Sequence, residues 1–211
     1  MQIKGWRITG CVAIILLAVT GSGLLLWGFS EEFVRVVIRA TARISVVLFL
    51  LAFTAASLNA LFPSAMTRWL RGNRRYLGVS FALSHFTHLA ALFTLGIWFP
   101  HPFVDDLNVV TLIGGGLAYV FLTLMTITSF AGPRRLIGER GWSILHTTGL
   151  YYIWLIFLNS YVSRAVMDVS YTPYALALII AIGLRIAFWF KRRNQAINAP
   201  HAAGAPTSSA S

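Results

Sequence analysis

Apolar residues gather into long blocks separated by short clusters of charge, proline and glycine. Six blocks stand out, at 8–29, 43–62, 76–99, 109–130, 142–162 and 173–190. Each approaches the roughly 20 residues that a helix rising about 1.5 Å per residue needs to cross a hydrocarbon core. The interruptions have the chemistry of helix ends: Ser30, Glu31 and Glu32 after the first block, Pro63 and Ser64 after the second, Pro100, His101 and Pro102 after the third, Gly132 and Pro133 after the fourth. A polar stretch, 164–172, separates the last two. The pattern predicts an all-α fold, a polytopic membrane bundle of six transmembrane helices over residues 1–194.

Composition sharpens this picture. Of 211 residues, 57% are hydrophobic and 11% charged, and mean hydropathy is +0.74. A soluble domain carries about 25% charged residues. A soluble globular protein and a disordered chain are thereby excluded. The single Cys11 excludes an internal disulfide and a multi-thiolate zinc cage.

The net charge is +11, from 17 Lys and Arg against 6 Asp and Glu. In a soluble chain such an excess points to nucleic acid. Here it falls in short clusters between apolar blocks, with no RNA-binding signature, so no nucleic-acid partner is expected. The distribution follows the positive-inside rule. With the N-terminus inside, Lys4, Arg7, Arg68, Arg71, Arg74, Arg75, Arg134, Arg135, Arg140, Lys191, Arg192 and Arg193 lie inside. Only Arg35, Arg39, Arg43 and Arg164 lie outside. Both termini are predicted cytoplasmic, and Arg185, within the last block, is expected to snorkel to the inner surface. The first block exceeds a usual signal-peptide core and lacks a cleavage site before Glu31, so it is expected to be retained. Residues 195–211, rich in Ala, Ser, Pro and Gly, predict a disordered cytoplasmic tail. The absence of a Gly-rich phosphate loop or dinucleotide fingerprint predicts no flavin or nicotinamide site within the chain.

The histidines are His85, His88, His101, His146 and His201. His201 falls in the tail and His101 at the predicted outer surface, and both read as solvated. His85, His88 and His146 lie within apolar blocks. Ionisable side chains at membrane depth are costly and mark function, and neutral imidazole is a usual axial ligand of haem iron. His85 and His88, three residues apart, share a helical face. Ala82, Ser84, Thr87, Ala90 and Ala91 around them allow close helix packing or leave room for a flat macrocycle. On the residues alone, haem ligation and hydrogen bonding to neighbouring helices both stay open. Trp142, Tyr151, Tyr152 and Trp154 accompany His146, and Trp142 reads as an interfacial belt residue. Asn59 and Asn159 are expected to be buried amides bonded across helices.

At these residues the sequence resembles the ferric-reductase-like transmembrane family, and within it the haem-binding membrane subunits of bacterial periplasmic methionine sulfoxide reductase systems. Arg74, Arg75, Leu77, Gly78 and then His88 are similar to the family's RRxLG…H pattern. Thr128 and Ser129, Leu136 to Gly138, and Trp142 with Leu145 and His146 are similar to its TS…LG…W..LH signature, with Tyr151 close behind. The likeness covers roughly residues 40–165. In that family haems stack across the bilayer between the third and fifth helices, with inner ligands at the helix starts and outer ligands about four turns later.

The corresponding positions here are Arg74 and His88, and His146 and Asn159. The resemblance implies haem b as cofactor, at most one tightly held. His88 and His146 are then the iron ligands and His85 a substitute. Asn159 departs from the family's histidine, and asparagine is a poor iron ligand. Arginine stays protonated and cannot normally bind iron, so Arg74 is expected to pair with a haem propionate. One haem could bridge His88 and His146, sit five-coordinate on one of them, or be absent. His88 lies about 20 Å above Arg75 and His146 about 9 Å above Arg140, which strains a shared haem.

The resemblance implies an electron-transfer subunit of an oxidoreductase in the bacterial inner membrane. It would carry single electrons from a quinol or a separate cytoplasmic flavin reductase to a periplasmic partner or ferric iron. The alternative is a haem-poor or haem-free paralogue serving as a membrane scaffold or assembly partner. A transporter fits less well, because no discontinuous helix pair or midplane acid is evident in the sequence.

Overall fold

The computed structural model describes residues 3–101 and 109–202. Among these, every regular element is helical: α1 Trp6–Trp27, α2 Glu31–Leu61, α3 Ala65–Trp98, α4 Val109–Ile127, α5 Ala131–Met167, a 3-10 turn Val169–Tyr171, and α6 Thr172–Ala202. The all-α expectation holds. Four stretches, Trp6–Trp27, Glu31–Leu61, Ala65–Trp98 and Val169–Ile197, are each long and apolar enough to cross a membrane. A fifth candidate is the bent pair Leu112–Ile127 and Ala131–Met167, at 111°. α6 continues past Asn194 to Ala202, so the first part of the expected disordered tail is helical. Gln195 and Ala196 favour continuation of the helix. Pro102, residues 203–211 and the side chain of His201 lie outside the described residues.

Several helices outrun their apolar blocks. α2 starts at Glu31 because Ser30 caps it, accepting from the Phe33 amide at 3.3 Å. Glu31 and Glu32 occupy its first turn, where the helix dipole favours acids. Arg35 and Arg39 pair with them at 2.7 and 2.9 Å. α3 starts at Ala65 because Ser64 and Thr67 form a capping box. The apparent breaks at Ser30 and Ser64 are thus N-caps of the helices that follow. With 34 residues, α3 extends about 50 Å, against about 30 Å of hydrocarbon. Its arginine-bearing first turns therefore project past the apolar zone.

α2 and α3 form the main antiparallel pair, and α1 lies against both. Ser45 Oγ donates to Ser84 Oγ at 2.9 Å along the α2–α3 seam. α4 packs on α3 and α5, and α6 closes the bundle against α5 and α2. Along α4 and α5, Met125 faces Gly149 while Tyr152 Oη donates to Gly114 O at 3.2 Å. Numbering falls on one helix as it rises on the other, so the two are antiparallel. A Cβ on Gly149 would collide with Met125 Sδ; glycine permits the approach. Phe49, Phe53 and Phe81 of α2 and α3, Phe157 of α5 and Leu178 of α6 fill the core. Ile8, Val12 and Leu16 bury α1 in it, and Gly5 N donates to Asn73 Oδ1 at 2.9 Å.

The two ends differ in character. At one end α1, α3 and α5 begin and α2, α4 and α6 finish. Arg75 lies against the rings of Trp6, Tyr76 and Phe130 there, and Lys191 Nζ donates to Ala60 O at 2.6 Å. Arg185 does not snorkel outward. Its guanidinium turns into the bundle, where Nη1 donates to Phe53 O at 2.9 Å and Nε to Tyr151 Oη at 3.0 Å. Both acceptors lie beside aromatic faces, Phe53 and Tyr151, that the guanidinium covers. The other end is held by Phe29 with Trp98 and Phe99 and by Tyr171 between Arg43 and Arg164. Asp168 there accepts from the Ser170 amide at 2.8 Å, which holds its carboxyl below the usual range.

Candidate functional site

The membrane-depth histidines stand at two levels. On α3, the rings of His85 and His88 lie nearly parallel, 5.3 Å apart, and Tyr119 of α4 stacks on His85 at 4.8 Å. His88 Nδ1 meets Ile38 O at 3.1 Å and Thr41 Oγ1 at 3.2 Å. The Thr41 hydroxyl proton has its own acceptor, Val37 O at 2.7 Å. Nδ1 therefore carries the His88 proton, and Nε2 keeps the lone pair. His85 Nδ1 is buried without a partner among the described residues, as is Asn59 Oδ1. His85 borders a void of about 20 Å³ with Phe81, Leu122 and Phe157. This level is packed, with room for about one water.

His146 of α5 is placed differently. It lines a cavity of about 790 Å³ at the arginine-rich end, within the range of small-molecule and cofactor sites. Phe49, Ala52, Phe81, Leu122, Met125 and Leu150 form its apolar floor. Arg74, Arg75, Arg134 and Arg135 also line it, with Glu139 as its single acid. Arg74 and Arg135 have no ion-pair or hydrogen-bond partner among the described residues. His146 Nε2 meets Thr128 Oγ1 at 3.0 Å, and the Thr128 hydroxyl donates to Leu124 O at 2.7 Å. The ring therefore gives its N–H to threonine and keeps a lone pair on Nδ1. Trp142 stacks on the imidazole at 4.3 Å and donates Nε1–H to Thr128 O at 3.1 Å. It holds the histidine ring, a role beyond that of a belt residue.

Arg74 and His146 thus share one cavity, which His85 and His88 do not line. Asn159 is exposed rather than buried. The inward positions of α5 are Gly149, Ile153, Phe157 and Tyr161, and a residue two places from Phe157 points about 200° away from it. His101 is exposed, as expected. Among the described residues no three His, Cys, Asp or Glu side chains converge, so neither level offers a metal ion a protein-only cage. A haem would meet a suitable wall at His146 in volume, apolar floor and unpaired guanidinia, with the imidazole Nε2 bonded to Thr128 as it stands. At the His88 level the nitrogen is present and the space is not.

Sequence reading did not assign Arg134, Glu139 or the break at Gly138 to the site. The available signal was Glu139, the one acidic residue in segments otherwise marked by arginine. Compared with known proteins, the chain matches no family profile, no curated relative and no solved structure.

Proposed function

We propose that this protein is a six-span membrane electron-transfer subunit with both termini cytoplasmic. His146 and the cavity arginines would hold one b-type haem in the arginine-rich cavity. The observation carrying this reading is the coincidence of His146, unpaired arginines and an apolar floor in one cavity of about 790 Å³. The family resemblance supports it independently, through the same His146 and Arg74. Electrons would enter from a quinol or a separate flavin reductase and leave to a periplasmic partner or ferric iron.

Bound haem supplies the one-electron redox chemistry. The chain supplies the surroundings. Thr128 fixes the His146 tautomer by accepting Nε2–H, the partner-group arrangement common to ligating histidines. Trp142 fixes the ring plane. Arg74, Arg75 and Arg135 offer guanidinium donors to acid groups. Phe49, Leu122, Met125 and Leu150 keep water from the floor.

Purification from haem-replete cells, followed by an absorption spectrum, tests the reading. A Soret band that is lost in His146→Ala is expected. Absence of the band, also after addition of hemin, would overturn it and leave the haem-free scaffold.

A further inference from the structure

The break in α5 lies beside this cavity. Gly138 has φ 67° and ψ 170°, a region essentially reserved for glycine. It divides α5 into a short helical segment, 131–137, and the long inward helix that carries His146. The short segment is joined to α4 by Thr128, Ser129 and Phe130. Ala131, Arg134 and Arg135 from it line the cavity, facing Arg74 and Arg75 of α3. The segment makes little core of its own: Leu136 is 88% exposed.

One side chain ties it down. Arg134 Nη2 pairs with Glu139 Oε2 at 2.7 Å, across Gly138. Its guanidinium lies over the Trp142 ring at 4.4 Å, and Trp142 in turn stacks on His146. Arg134 Nε is buried and has no acceptor among the described residues. The side chain as a whole is 42% exposed, so one donor rests on its own acid while Nε is held beside a cavity in which guanidinia outnumber carboxylates.

We propose that residues 131–137 form a hinged lid, and that Arg134 exchanges Glu139 for an acid group of the cavity's ligand. Glu139 holds the lid in register while the cavity is empty. A flat apolar ligand bearing carboxylates takes Arg134 over, and the lid is then pinned to the ligand. The inference rests on the proposed cavity ligand being a diacid of this kind, but it needs no iron.

The test compares two variants that break the same ion pair, in the full-length protein in detergent. The probe is iron-free protoporphyrin IX, followed by fluorescence, with its dimethyl ester as the uncharged control. Glu139→Gln releases Arg134 to the ligand, so entry should be about threefold faster without loss of affinity. Arg134→Gln removes the acceptor's partner, so affinity should fall about tenfold. The ester should bind both variants and the parent alike.

Lid motion is read separately from spin labels at Leu136→Cys and Arg71→Cys in a Cys11→Ser background. The distance distribution should broaden in both variants. Equal effects of the two variants on protoporphyrin, an ester that discriminates as the diacid does, or unchanged label distances would each overturn the lid. Failure of the parent to bind protoporphyrin would overturn the lid alone, and failure to bind hemin as well would overturn the haem reading too. Protoporphyrin binding without hemin ligation would sink the haem reading alone.

Discussion

The two histidine levels are built to the same chemical plan in opposite surroundings. His88 and His146 each give one N–H to groups that include a threonine hydroxyl, Thr41 in one case and Thr128 in the other. Each threonine passes its own proton to a carbonyl of its own helix. In the neutral ring, each imidazole is thereby fixed in one tautomer with the other nitrogen's lone pair free. At His88 the neighbours are Tyr119-stacked His85 and the tight α2–α3 seam. At His146 the neighbour is a cavity rimmed with arginine. Orienting an imidazole is therefore not what separates the two levels here; the space beside it is.

The sharpest way to break this comparison is to remove each ring. His146→Ala should lower haem per protein by more than about tenfold, as expected for loss of an axial ligand. His88→Ala should leave haem content nearly unchanged and instead cost about 1–3 kcal/mol of stability, by opening a packed site and orphaning its partners. Haem assay and chemical denaturation on the same preparations separate the two. Loss of haem from His88→Ala with retention in His146→Ala would reverse the assignment.

The threonines sharpen the comparison at one remove. Thr128→Val keeps volume but takes away the group holding the His146 proton, and partner groups of this kind are worth about tenfold in ligand affinity. Thr41→Val makes the same change at the packed level and should leave haem affinity unaltered, with about 1 kcal/mol of destabilisation. Hemin titration checks both. Next in size is Gly149→Ala, which places a methyl group into Met125 and Phe121. It should cost about 1–3 kcal/mol by forcing α4 and α5 apart, measured as a lower denaturation midpoint.

Much of the architecture was legible because bilayer-length apolar blocks are a strong signal, and every block appears as part of a helix. Helix starts were less legible. Charged turns such as Glu31 to Arg39 read as loop when judged by hydropathy, yet caps and ion pairs carry the helix through them. At the site, His146 stood out because imidazole is rare in apolar blocks, whereas Arg74, just outside the third block, was singled out only by the resemblance. Arg185 was seen and misplaced, since a sequence does not show that Phe53 O and Tyr151 Oη await it. Gly138 was noted only as a motif letter. Its positive φ is a property of the chain path, and nothing in the residue order distinguishes it from glycines inside helices such as Gly78.

The smallest expected effect belongs to Asn159, where the resemblance and the helix geometry part. By resemblance this position faces an outer haem, so Asn159→His would complete an axial pair. By geometry it does not. His88 follows Arg74 by 14 residues, a net rotation of about 40° that keeps one face. Asn159 follows His146 by 13, about 140° round the helix. Phe157 and Tyr161, two places to either side of it, point inward and are buried, and Asn159 points out. A histidine there should sit outside the bundle, with haem content and absorption spectrum unchanged and stability altered by no more than about 0.5 kcal/mol. Appearance of a low-spin haem spectrum in Asn159→His would mean that α5 rotates to bring this face inward when haem binds. The packed level at His88 would then have to open as well, and the contrast between the two histidine levels would fail.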